Sequence, residues 1–117
     1  MEPFKHPLKI IQGATFNDVT TWQSGTPPVA VNLTGCTARM QVRAKIADSA
    51  TLLSLTTENG GIELGGIAGT VAIEISATNT SAITWKGGVY DLEIVFADGT
   101  VRRLLSGGVS VSPEVTR

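Results

Sequence analysis

Residues 87–112, GGVYDLEIVFADGTVRRLLSGGVSVS, constrain what this chain can fold into more than any other stretch. Two runs that favour β-structure flank Asp98-Gly99, and an Asp-Gly pair between such runs is the strongest short-range hairpin signal. Tyr90, Leu92, Ile94 and Phe96 alternate with Val89, Asp91, Glu93 and Val95, so the first arm has one apolar face and one mixed face. The expectation is a central hairpin of residues 89–97 and 100–112 in a half-buried antiparallel sheet, with those four apolar side chains inside. Its register has two forms. A three-residue loop with a bulge at Gly99 sets Glu93 opposite Arg103 and Val95 opposite Val101, whereas a two-residue loop sets Val95 opposite Arg102.

The rest of the chain reads as short strands that pack around this hairpin. Residues 8–12 form one, Gly13 permits a bend, and residues 14–22 form a weaker one. Residues 23–28, QSGTPP, are loop, because Gly25 and two consecutive prolines oppose regular pairing. Residues 29–33 form another short strand. Residues 36–45 alternate most cleanly, with Cys36, Ala38, Met40 and Val42 toward the core and Thr37, Arg39, Gln41 and Arg43 outward. Residues 51–56 pair with residues 62–64 through a second hairpin turn at Glu58-Asn59-Gly60-Gly61. Residues 70–76 turn Val71, Ile73 and Ile75 inward. Residues 77–85 are the one helical candidate: Ser76 caps it, and Ala77, Ala82 and Ile83 face the sheet in one or two turns of α or 3-10 form.

Seven to nine short strands with turn signals every 8–12 residues describe an all-β, antiparallel sandwich with one short helix or 3-10 turn. At 117 residues this is one domain, with a core that needs neither metal nor disulfide. The expected layout is a flexible N-terminal arm at 1–7, a sandwich at 8–112 and a tail at 113–117. Phe4 and Val115 are the apolar side chains of those arms, and neither residues 1–7 nor residues 113–117 have anything obvious to fold on. The N-terminal segment MEPFKHPLKIIQ is broken by Pro3 and Pro7 and has no apolar run of the secretory type. Nine Lys/Arg against ten Asp/Glu, with no basic cluster longer than Arg102-Arg103, argue against nucleic acid, which needs a positive stripe. No run approaches a membrane span.

Few residues here could carry chemistry. His6 lies between two prolines in the arm, where a catalytic base would lack an orienting partner, and reads as an exposed tail histidine. Cys36 sits on an inward strand face, where burial raises a thiol's pKa and makes it a small hydrophobe. One His and one Cys cannot build a zinc site. Asp91 and Glu93 share a strand face at about 7 Å, a spacing that could suit paired glycosidase carboxylates. Arginines on the other arm make ion pairing the stronger reading. Trp22 could be an exposed aromatic that stacks on sugar rings, while Trp85 reads as a core or edge plug. The glycine pairs lack the flanking helix that presents amides to phosphate. No catalytic, cofactor-binding or metal-ligating residue is assigned, and no cofactor is expected.

Four stretches together resemble a known group of proteins: residues 32–43 (NLTGCTARMQVR), 55–62 (LTTENGGI), 90–93 (YDLE) and 101–117, which end in PEVTR. Their order and spacing resemble small tail-associated or other virion structural proteins of tailed bacteriophages and prophages. More loosely, the layout is similar to the immunoglobulin-like N-terminal domain of phage baseplate upper proteins, which implies an immunoglobulin-like sandwich. The resemblance implies structure and assembly rather than catalysis, a place in the virion after synthesis in the bacterial cytoplasm, and partners among other virion proteins or copies of itself. The other reading is a carbohydrate- or surface-binding module that uses Trp22. Under the assembly reading, removal of residues 1–7 should weaken association and hardly change the melting temperature.

Overall fold

The structure, a computed structural model, describes residues 3–116. Its elements are β1 (Phe4–Lys5), β2 (Leu8–Ile11), β3 (Phe16–Thr21), β4 (Gln23–Ser24), β5 (Val29–Ala30), β6 (Thr37–Arg43), β7 (Leu53–Thr56), β8 (Ile62–Leu64), a 3-10 turn (Gly66–Ala68), β9 (Thr70–Ile75), α1 (Ala77–Ser81), β10 (Gly87–Val95) and β11 (Val101–Ser112). The larger sheet runs β1-β11-β10-β6-β7, with β2 also on β11, and the smaller runs β3-β9-β8. Inward rows from both sheets, among them Met40, Val42, Leu92, Ile94 and Leu105 against Ile62, Val71, Ile73 and Ile75, make one buried core. In immunoglobulin lettering the sheets are A-G-F-C-C′ and B-E-D, an immunoglobulin-like sandwich whose first strand lies parallel to its last.

The Asp98-Gly99 hairpin forms with Tyr90, Leu92 and Ile94 buried and Phe96 packed half-buried at its end. Val95 faces Val101, Phe96 N–H donates to the Thr100 carbonyl at 2.8 Å, and Gly99 takes φ +90°, which selects the three-residue loop with a glycine bulge. The ladder has a second irregularity, because Leu92 faces Leu105 while Glu93 faces Arg103, leaving Leu104 as an extra residue. The bulge turns both Leu104 and Leu105 into the core.

Several expectations are corrected. Residues 51–56 do not make a hairpin with residues 62–64: β7 pairs back with β6, and Glu58–Gly61 carries the chain across to the smaller sheet, where β8 meets β9. Residues 23–24 do pair, with residues 29–30 in a small hairpin. Residues 31–33 leave the strand pattern because their backbone bonds to other loops, Val31 N–H to the Trp22 carbonyl and Leu33 N–H to that of Gly66, both at 2.9 Å. The helix has five residues, not nine. Ser76 does cap it, its Oγ accepting from Asn79 N–H at 3.2 Å, but Ala82 is exposed and Thr80 is buried in its place. The Thr80 hydroxyl is satisfied there, 2.9 Å from the Ala14 carbonyl and accepting from Gly13 N–H at 3.1 Å.

The described part of the N-terminal arm is not loose. Residues 4–5 pair with 105–106 and residues 8–11 with 109–112 at one constant offset, so β1 and β2 are a single edge strand interrupted at His6-Pro7. His6 N–H donates to the Ser106 carbonyl at 2.8 Å. Gly107 makes room for this crossing, since a Cβ there would lie 3.1 Å from the His6 carbonyl. The tail is tied as far as Glu114, whose N–H donates to Gln12 Oε1 at 2.8 Å. The outermost residues of both segments, 1–2 and 117, lie outside the described residues.

Candidate functional site

The strand carrying Asp91 and Glu93 places both on the outer face of the larger sheet, but not as a free acid pair. Glu93 Oε1 accepts from Arg39 Nε of β6 at 2.8 Å, directly across the strand pairing, and Asp91 Oδ2 lies 3.6 Å from Arg103 Nε of β11. Ion pairing was the expectation; the partner of Glu93 is on β6 rather than β11, because β10 has a neighbour on each side. On this face the two carboxylates of β10 therefore lie between Arg39 on β6 and Arg103 on β11. A shallow hollow of about 370 Å³ lies between Arg39, Gln41, Thr56, Asp91 and Glu93. Such exposed pairs add little stability, about 0–1 kcal/mol each, but they leave neither carboxylate without a cationic partner.

A larger groove, about 620 Å³, opens where the edge of β7 meets the start of β3. Phe16, Leu53, Leu55 and Ile75 line it together with Asn59 and Asn79. Asn59 has a structural task that its turn-like sequence setting concealed. Its Oδ1 accepts from Thr56 N–H and Gly61 N–H, both at 2.9 Å, and its Nδ2 donates to the Ser54 carbonyl at 3.1 Å. One carboxamide thus stands in for a strand along the free edge of β7.

Trp22 is not exposed: it keeps 8% of its surface and lies 5.9 Å from Phe96, centroid to centroid. The Trp22 N–H donates to the Gly69 carbonyl, so the register of β3 continues through it and points the ring inward over the end of β10. The carbohydrate reading thereby loses the aromatic that motivated it. Trp85 packs half-buried against the core. Phe4 (53% exposed) and Val115 (90%) do present their side chains to solvent, one from a paired edge strand and one from the tail.

His6 is no exposed tail histidine. Its Nε2 lies 2.8 Å from Asp18 Oδ2 on β3, its carbonyl accepts from the Tyr90 hydroxyl, and its backbone pairs with β11. One residue thereby links both sheets. Burial, and secondarily the Asp18 carboxylate, push the Tyr90 phenol well above its ordinary range. Burial and then the nearby Asp98 carboxylate raise the Cys36 thiol. Asp98 itself is lowered, chiefly by the Thr100 N–H it accepts at 2.9 Å, the bond that shapes the hairpin turn. Among the described residues no group of three or more His, Cys, Asp or Glu gathers as it would around a metal ion, and no helix is long and apolar enough to cross a membrane.

The chain matches no family model, and no curated protein matches it.

Proposed function

We propose that the protein is a non-enzymatic structural module of a tailed-phage or prophage particle, an assembly or decoration piece of the tail, baseplate or head-tail region. The resemblance of residues 32–43, 55–62, 90–93 and 101–117 to virion structural proteins supports this reading. The observation that carries it is the outer face of the larger sheet. There the two carboxylates with catalytic spacing are each paired with an arginine, which leaves an exposed polar surface suited to lying against another protein. Its partners are other virion proteins or further copies of itself, and it works without a cofactor. Mass spectrometry of purified particles tests the reading: the protein should be present at a fixed stoichiometry, alongside the head or tail proteins. Absence from particles made by a strain that expresses it would overturn the proposal.

A further inference from the structure

Each sheet of a sandwich ends in two edge strands, whose unpaired N–H and C=O groups invite another strand. Among the described residues, three of the four edges are guarded. Along β1 and β2, His6 and Gln12 donate to Ser106 and Ser112, so even-numbered residues face β11, while Lys5, Pro7, Lys9 and Ile11 face outward. That outward row has a proline without an N–H at its middle and a lysine on either side, two devices that blunt an edge. On β7 the Asn59 carboxamide occupies the outward carbonyl of Ser54 and the outward N–H of Thr56. β8 is only three residues long.

β3 has no such guard. It runs six residues, FNDVTT, without proline, lysine or bulge, and its sole sheet neighbour among the described residues is β9. Because Trp22 N–H donates to Gly69 in the same register, even-numbered residues face β9, and Asn17, Val19 and Thr21 turn their N–H and C=O to the open edge. Their side chains are exposed, Val19 at 58%. The inward charge that would otherwise discourage pairing, Asp18, is already held by His6.

We propose that β3 is an association edge whose partner is β3 of a second copy, antiparallel about a two-fold axis at Val19. The strand is self-complementary in that register. Val19 meets its own counterpart, Asn17 meets Thr21 in both directions, and Asp18 meets Thr20, with no like charges opposite. The outward groups of Asn17, Val19 and Thr21 then all find backbone partners. An axis at Asp18 would set two aspartates face to face, and one at Thr20 would leave Asn17 unpaired. Both sheets of three strands join into one of six. An edge contact alone buries too little for a permanent dimer, so association is weak and concentration-dependent, and gains strength where many copies are arrayed. The inference is independent of the virion reading, since it needs only a second copy of the chain.

Hydrogen exchange on the whole protein, from dilute to concentrated solution, tests it. The amides of Asn17, Val19 and Thr21 should gain protection with concentration, in step with a dimer seen by sedimentation, while Asp18 and Thr20 stay protected throughout. Val19→Lys sets two lysines opposite each other at the axis and should weaken dimerisation by on the order of tenfold with an unchanged fold. Lys9→Ala, on a guarded edge, should leave it as it was. A protein that stays monomeric at every concentration, or a dimer in which those three amides exchange at the dilute rate, overturns the proposal.

Discussion

Tyr90 holds its hydroxyl where little water reaches, and that burial makes it the most direct probe of the N-terminal dock. It is the only tyrosine in the chain, so absorbance near 295 nm reports it alone. Its folded pKa is raised, so its contribution to stability is complete below the ordinary tyrosine value near 10 and is lost as pH climbs through the folded value. The titration should therefore be delayed past the ordinary range while the protein stays folded, and unfolding should accompany ionisation; a normal tyrosine curve with native circular dichroism would contradict this. Asn59 makes a second prediction at this scale. Asn59→Ala strips two donors and one acceptor of their partner and, at this exposed site, should cost about 0.5–1.5 kcal/mol in urea denaturation. Asn59→Asp keeps both accepted bonds, loses the one to Ser54, and should cost less. Neither residue's task was legible in the chain: Asn59 sits in a run that reads as a turn, and Tyr90 reads as one of four inward side chains. Their partners lie in other elements, five residues away for Ser54 and eighty-four for His6.

At the scale of elements, the alternation of residues 90–94 was a sufficient guide because one arm of a half-buried hairpin shows its burial directly in period two. Leu92 is fully buried between Met40 and Leu105 on the flanking strands. Leu92→Ala should cost about 2–5 kcal/mol by chemical denaturation, as a core truncation does. The second arm was harder to read, since Leu104-Leu105 break the alternation. That doublet was the visible trace of the bulge, which lets two consecutive side chains share the core. The short helix was legible from Ser76 as its cap, but its length was not. Thr80 is inside because Gly13 and Ala14 supply its hydroxyl with partners, a fact about a segment more than sixty residues away. Likewise the neighbour of β7 was not legible, since the Asn-Gly-Gly turn signal is the same for a hairpin and for a crossing between sheets.

For the whole molecule, the dock of residues 4–6 reverses one expectation. Removing residues 1–7 should lower the melting temperature by several degrees, because it deletes the backbone bond to Ser106, the acceptor of the Tyr90 hydroxyl and the partner of Asp18. An unchanged transition by calorimetry would show that the dock contributes nothing to the fold. The all-β class, most strand positions and the inward rows follow from the order of amino acids, because they arise from local periodicity and from the few residues that permit tight turns. Which strands are neighbours, that His6 ties two sheets together, that Trp22 is covered and that Glu93 meets Arg39 emerge only in the folded molecule. Those outcomes depend on which distant segments come within hydrogen-bonding or van der Waals reach, and period-two patterning says which face a side chain is on without saying what lies across from it.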